Sequence, residues 1–559
     1  MTATGSDRGV VAAGHPLEVA AGRRVFEEGG NAVDAVIAAA FAGFVVEPTS
    51  CGLGGYGHLA LLNAANNAFL TIDHGPRAPA GASPEMFALI DDEGRGEYHW
   101  PAVEGRRNEV GALAIAVPGA VAGLWEAHRA AARLPWAQLL APAIEIADGG
   151  LDVTWNLVLP IVERLEDIRQ APGAASFLLR NDDPPCPGDN WRPQDRLDTA
   201  ALAETLRQIA THGAAGFHSG KVAERIGQAV QEAGGILTPA DLEDYRPKVL
   251  AEQPATYRNY SYITANDQVG YEALNILDQL QLSEFGPGSA GHYHLLAEAL
   301  SCAFVDNVAH YGDPDRVPAP LRGLASQEFA QQRAASIRRD RAAPRPVQPG
   351  DPWPFEPEAP GARPGHSTAR SPGTTQMAAA DAEGNLAALI TTVGHDFGSL
   401  VHVPDVGIFL NSSMVNFDPR PGRGNSIRPG AMPFFAVPSI VATCADGAGF
   451  AACGSGGYRI LSGVLNALVN VIDFTMPVAQ AVGAPRVHSQ GGELFADHRI
   501  PQGVRERLTE LGHKVAVQQA VPGFEPFARV SAVTLHRDGP TVTLEAASDP
   551  AWSTAAGGV

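Results

Sequence analysis

Between Arg341 and Gly373 the chain carries nine prolines in 33 residues, RAAPRPVQPGDPWPFEPEAPGARPGHSTARSPG. Proline has no N–H to give a helix or a sheet ladder, so this stretch supports neither a regular helix nor a central strand. It is expected to be an exposed, mobile linker. Immediately after it, TTQMAAADAEGNLAALITTV reads as two strands joined by a turn at Ala382–Asn385. The break divides the 559 residues into a helix-rich first part, 1–373, and a β-rich second part, 374–559, which opens abruptly on Thr374-Thr375.

The first part shows its helices by pattern. Leu17–Val46 contains two helical stretches broken at Gly29-Gly30, with Asn31 placed to cap the second. That second stretch is Ala-rich and apolar on most sides, so it should be buried. His58–Leu62 and Phe69–Asp73 read as strands, and Ala120–Gly150 and Ala200–Gly234 as helix pairs. A further helix, Ser289–Tyr311, holds His292, His294 and Asp306, but with no spacing of the H-E-x-x-H kind, so a metal site is not expected. The five cysteines are scattered and imply no disulfide framework; Cys51, Cys302 and Cys453 read as buried fillers.

Charge narrows the partners. The net charge is −21, which disfavours nucleic acid and anionic membranes. The longest apolar run, about Val36–Val46, is shorter than the ~20 residues a membrane span needs. The first residues show no basic stretch followed by an apolar one, so a cytoplasmic location is expected, or a periplasmic one if a leader precedes this start.

A threonine that becomes an N-terminus carries a minimal catalyst. Its Oγ is the nucleophile and its freed α-amine accepts the hydroxyl proton, without histidine, metal or cofactor. Gly373 offers an unhindered carbonyl for attack by Thr374 Oγ. Taken alone, Gly-Thr-Thr after a proline-rich stretch reads better as a plain linker between domains.

Further segments decide between the two. GGNAVDAVIAAAF, VVEPTSCGLGGYGHL, VPGAVAGLWEAH, APAIEIADGGLDV and FVDNVAHYGDP, then TTQMAAADAEGN, GSGGYRI, APRVH and ASDP, occur in that order. In these pieces the chain resembles the γ-glutamyltranspeptidase family of N-terminal-nucleophile hydrolases over nearly its full length. The resemblance implies an α+β fold, a four-layer αββα sandwich. It implies self-cleavage between Gly373 and Thr374, into fragments that stay together as a heterodimer and form one structural unit. Thr374 then falls on the nucleophile, and Thr392 on the threonine that hydrogen-bonds its hydroxyl. Gly456 and Gly457 fall on the pair lining the oxyanion hole, where glycine lets backbone N–H groups approach closely.

The family's glutamyl pocket does not carry over. Gly75 stands in place of the carboxylate-binding arginine, with Arg77 two positions away. Phe434 and Phe435 replace a serine pair, and Asn416 replaces the aspartate that binds the substrate ammonium. Ser413 replaces a glutamine and Gly394 an asparagine. A zwitterionic glutamyl head would lose its partners, and unpaired buried charge is costly. Arg77, Arg428 and Arg459 remain as alternative carboxylate partners. The stretch NFDPRPGRGNSIRPG is similar to the cephalosporin-acylase branch. The expectation is therefore an amidohydrolase or acylase acting on a small-molecule amide with a glutaryl-like or apolar acyl group. The alternatives are a γ-glutamyl hydrolase or transpeptidase, acting on glutathione or other γ-glutamyl amides, and a non-catalytic binding protein on a decayed enzyme fold.

Overall fold

The computed structural model describes residues 3–90, 100–265, 267–357, 373–434, 437–521, 526–550 and 554–559. Among them, fourteen strands build two seven-stranded antiparallel sheets. In chain order the strands are β1 (Ala3–Ser6), β2 (Gly9–Ala13), β3 (Tyr56–Asn63), β4 (Ala68–His74), β5 (Lys248–Glu252), β6 (Ala255–Tyr257) and β7 (Tyr260–Thr264). After the proline-rich stretch come β8 (Gly373–Asp381), β9 (Leu386–Gly394), β10 (Ile440–Cys444), β11 (Gly449–Ser455), β12 (Arg529–Asp538), β13 (Thr541–Ser548) and β14 (Ala555–Gly558). One sheet runs β1-β13-β12-β11-β10-β7-β6, the other β14-β2-β8-β9-β3-β4-β5.

The second sheet shows why the two parts of the chain cannot fold apart. Its middle strands β8 and β9 come from after the break, and β2 and β3, which flank them, come from before it. Strand β8 is buried along its whole length, and its run of alanines suits a strand pressed from both faces. Ala378 and Ala380 face the other sheet, while Met377 and Ala379 face the helices. The outer helices on that side are α1 (Pro16–Glu27), α2 (Ala32–Val46), α3 (Ala120–Ala131) and α4 (Trp136–Gly149). On the far side of the first sheet lie α5 (Gln268–Gln279), α6 (Ala290–His310) and α7 (Arg459–Ile472). The order helix, sheet, sheet, helix is the αββα sandwich. Asn31 caps α2, accepting from the Val33 and Asp34 N–H groups. Among the described residues no helix is long and apolar enough to cross a membrane.

The proline-rich stretch corrects the expectation of a loose linker from Arg341 onward. Its first half is a docked strap, whereas the part from 358 to 372 lies outside the described residues. Apart from a short 3-10 turn at Trp353–Phe355 the strap forms neither helix nor strand, but several of its backbone groups find long-range partners. Ala342 N–H donates to Leu511 O at 2.6 Å and Val347 N–H to Gly491 O at 2.8 Å. Both acceptors lie in the second part of the chain.

Two buried carboxylates of α6 hold the strap from the other side. Glu298 accepts from Ala343 N–H at 3.1 Å and pairs with Arg345. Asp306 accepts from Gly350 N–H at 2.5 Å and pairs with Arg333 at 2.7 Å. His294, Glu298 and His513 lie close enough together to suggest a metal site. Each is engaged otherwise: His294 bonds His513 and Arg338 O, both at 2.7 Å, and Glu298 holds Arg345.

Arg345→Ala would leave the Glu298 carboxylate buried without its cation, and should cost about 3 kcal/mol of stability. Thermal denaturation should show a lower Tm for this variant than for the wild type.

Candidate active site

Strands β8 and β9 pair with one irregularity, and it falls at the Gly373–Thr374 bond. Thr374 lies opposite Thr392, whereas Gly373 lies opposite Gly394, so Val393 is an extra residue with no partner in β8. Such a bulge bends the strand and re-aims side chains. The backbone of Val393 is held elsewhere, its N–H by Ser50 O at 3.1 Å and its C=O by Ser412 N–H at 2.9 Å. Gly373 packs so closely here that a Cβ on it would lie 2.6 Å from Gly394 O and 2.8 Å from the His395 carbonyl. Only glycine fits at this position.

The bulge brings one hydroxyl into contact with both sides of the peptide bond. Thr392 Oγ1 accepts from Thr374 Oγ1 at 3.1 Å and from Gly394 N–H at 2.9 Å. It then donates its own proton to the Gly373 carbonyl. The result is a directed chain from the Thr374 hydroxyl through Thr392 to the carbonyl that Thr374 can attack. Both threonines are almost fully buried. In low-dielectric surroundings such a chain is stronger than in water.

Other elements converge on the same strand end. Tyr56 lies opposite Thr392 on β3, and its hydroxyl accepts from Asn416 Nδ2 at 3.2 Å. Burial pushes the Tyr56 phenol up to about 12, so it stays protonated at neutral pH. Ser413 shares the same short helical turn as Asn416 and lies beside Tyr56. Asn425 joins Asn416 to Phe434: it donates to Asn416 O at 2.8 Å and accepts from Phe434 N–H at 2.9 Å. Phe434 is buried against Tyr311 and Tyr458, with ring centroids 4.9 and 6.1 Å away. Phe435 lies outside the described residues.

From the opposite sheet, β11 ends at Ser455 and leads through Gly456-Gly457 toward α7. These glycines have φ values of +131° and +62°, which side-chain-bearing residues rarely adopt. Opposite Ser455 on β12 is Arg529, and its guanidinium reaches the Thr374 carbonyl at 3.3 Å. Arg529 therefore ties the Gly-Gly loop's sheet to the Thr374 strand.

Two of the three alternative arginines, Arg77 and Arg428, are committed to other partners. Arg77 pairs with buried Asp313 at 3.8 Å. Arg428 donates to the carbonyls of Arg423, Gly424 and Ser426, bracing its own loop. Arg459 sits at the start of α7 near His488, whose protonation it opposes.

Sequence reasoning missed two charged groups here. Arg529 carries no local signal, because only the pairing of β11 with β12 places it. Asp396 is pushed up to about 6 by burial, against the pull of the Arg164 guanidinium. Its place directly after Gly394 and His395, next to the bulge, was the available hint.

The matches to known proteins cover nearly the whole chain. The family model described as Gamma-glutamyltranspeptidase matches residues 19–559. An acylase ACY 1 proenzyme from Pseudomonas sp. (strain SE83) is 35% identical over 544 residues, covering 96% of this chain and 91% of the relative. A glutathione hydrolase proenzyme from Bacillus subtilis (strain 168) is 30% identical over 520 residues, covering 90% and 85%. Among solved structures, the cephalosporin acylase from Bacillus halodurans superposes with a TM-score of 0.82 at 26% identity, covering 100% of this chain and 97% of that one.

The Thr392 hydroxyl is expected to be essential for chain cleavage. Thr392→Val should slow it about a hundredfold or more, the usual loss for one oxyanion donor, and Thr392→Ser should retain it. A time course of fragment appearance on denaturing gels would check both.

Proposed function

This chain belongs to the gamma-glutamyltranspeptidase family of self-processing amide hydrolases, and from that premise we propose how its residues divide the work. The observation that carries the reading is the hydroxyl chain Thr374–Thr392–Gly373. Thr374 Oγ attacks the Gly373 carbonyl carbon, and the Thr392 hydroxyl faces the oxygen on which negative charge develops. The C–N bond breaks as the proton given up by the Thr374 hydroxyl passes to the Thr374 nitrogen, leaving an ester at Oγ and a free amine. Water then hydrolyses the ester, giving fragments 1–373 and 374–559. The shared second sheet and the strap support a heterodimer that stays together after cleavage.

In turnover the freed Thr374 amine serves as general base and its Oγ attacks the substrate amide carbonyl. The backbone at Gly456 and Gly457 holds the oxyanion, and Thr392 orients the hydroxyl. The acyl-enzyme is released by water or by an acceptor amine.

The acyl pocket favours a substrate without an α-ammonium. Asn416 is neutral, hydrogen-bonded to Tyr56 and buried. Phe434 is apolar and set among aromatic rings. The similarity to a Pseudomonas acylase proenzyme supports the same reading. A glutaryl-type or apolar acyl amide fits such a pocket, because it brings no second charge that needs a partner.

Glutaryl and γ-glutamyl p-nitroanilides, compared side by side, test this. The glutaryl amide should have the higher kcat/KM by about tenfold or more, the worth of one unpaired buried polar group; a preference for the γ-glutamyl amide would refute it. Asn416→Asp supplies the missing carboxylate, and should shift the ratio of the two kcat/KM values toward the γ-glutamyl amide by about tenfold.

A further inference from the structure

Behind the nucleophile strand, on its helix-facing side, lies a pair of buried glutamates that the chemistry above does not use. Side chains alternate along a strand, so Thr375 points away from the Thr374 side and toward α1 and α2. Its hydroxyl donates to Glu47 Oε2 at 2.5 Å. Glu47 caps the C-terminus of α2, and Glu18 sits in the first turn of α1. Glu18 is fully buried. One of its oxygens, Oε2, accepts from His15 N–H at 3.0 Å in the capping box of α1. The other, Oε1, is buried without a hydrogen-bond partner and turns to Glu47, while the Gly14 backbone also lies against the carboxylate.

The surroundings are shaped around this pair. A Cβ at Gly14 would lie 2.4 Å from Thr375 Oγ1 and 2.7 Å from Glu47 Oε2, and one at Gly43 would lie 2.5 Å from Glu18 Oε1. The other titratable neighbours are His15 and Cys51. Burial holds the His15 imidazole down and its neutral form in place, although Glu47 pulls the other way. Burial, Glu47 and Glu18 all push the Cys51 thiol up, so it stays neutral. No cation among these neighbours would stabilise two negative charges, and the C-terminal end of α2 adds the wrong sign of dipole at Glu47. Two adjacent carboxylates in such a place do not both ionise. A proton between them satisfies the orphaned Oε1.

We propose that Glu18 and Glu47 share one proton and, through the Thr375 hydroxyl, act as positioning residues that fix the strand end presenting Thr374. The proposal rests on Thr374 being the nucleophile. The singly protonated pair, with one negative charge between them, holds Thr375 by one short bond. Loss of the shared proton would set two charges against each other directly behind the nucleophile and loosen that hold.

The pH dependence has a definite sign. Burial first, and then the Glu47 charge, push the Glu18 carboxyl well above its ordinary 4.5. The folded chain thus keeps a proton that the unfolded chain releases, and stability falls as pH rises from the unfolded value toward the folded one. Glu18→Gln, whose amide donates to Glu47 permanently, removes this dependence.

Thermal denaturation of the processed wild type and Glu18→Gln, from about pH 5.5 to about pH 8.5, should show the variant gaining on the wild type. The gain corresponds to as much as about tenfold per pH unit in the unfolding equilibrium, the linkage of one proton. A Tm gap that stays constant with pH would overturn the shared proton.

For positioning, Thr375→Val and Glu47→Ala should slow self-cleavage by about tenfold or more and lower kcat with KM unchanged. Glu18→Ala should do the same, with Glu18→Gln restoring the rate. Variants that are cleaved and turn over at wild-type rates would overturn the positioning role. An uncleaved wild type would instead overturn Thr374 as the nucleophile, and the same Tm comparison on the uncut chains would then decide the shared proton by itself.

Discussion

The site depends on how β8 pairs with β9. Regular pairing would run the ladder straight through Gly373 and Thr374. The extra residue at Val393 breaks that regularity at the bond itself, and the Ser50 carbonyl and Ser412 N–H hold the bulge in place. Thr392 can then touch both the Thr374 hydroxyl and the Gly373 carbonyl. Gly373 lacks a side chain because the β9 end has already filled that space. The fold stores this geometry cheaply, because a bulge redirects groups without leaving their polar atoms unpaired.

The rest of the molecule keeps that strand end rigid. Strand β8 is the inner strand of an inner layer, pressed by α2 on one face and by the other sheet on the opposite face. Polar ties cross the layers at intervals. Cys453 Sγ meets Met377 O at 3.1 Å, and Gln376 donates to Ser531 Oγ at 3.3 Å. Arg529 reaches the Thr374 carbonyl from β12. The site is therefore built from strands before and after the Gly373–Thr374 bond, and none of these contacts runs through that bond. The strap adds a second connection of the same kind, since its hydrogen bonds reach Gly491 and Leu511 in the part of the chain after Thr374.

Much of this was legible in the sequence where the signal is local. The cap at Asn31, the buried character of α2, and the two strands around the turn at Ala382–Asn385 follow from side-chain pattern. The family resemblance supplied the layers and the pairing of Thr374 with Thr392. Long-range partners were not legible. The prolines of the strap correctly argue against helix and strand, yet they say nothing about backbone donors reaching Leu511 and Gly491. Arg77 looked available for a substrate carboxylate because Asp313 lies 236 positions away in the chain and pairs with it only in the fold. Glu18 carries no local signal that singles it out, and only the folded chain places it against Glu47.

The central claim is that the chain cuts itself before Thr374 and exposes a catalytic threonine. Intact-mass measurement of the purified wild type beside Thr374→Ala tests it most directly. The account predicts two wild-type fragments, with masses matching residues up to Gly373 and from Thr374 onward, and one uncut chain for the variant. A wild type that remains a single chain, or a variant that is cut at the same bond, would contradict it.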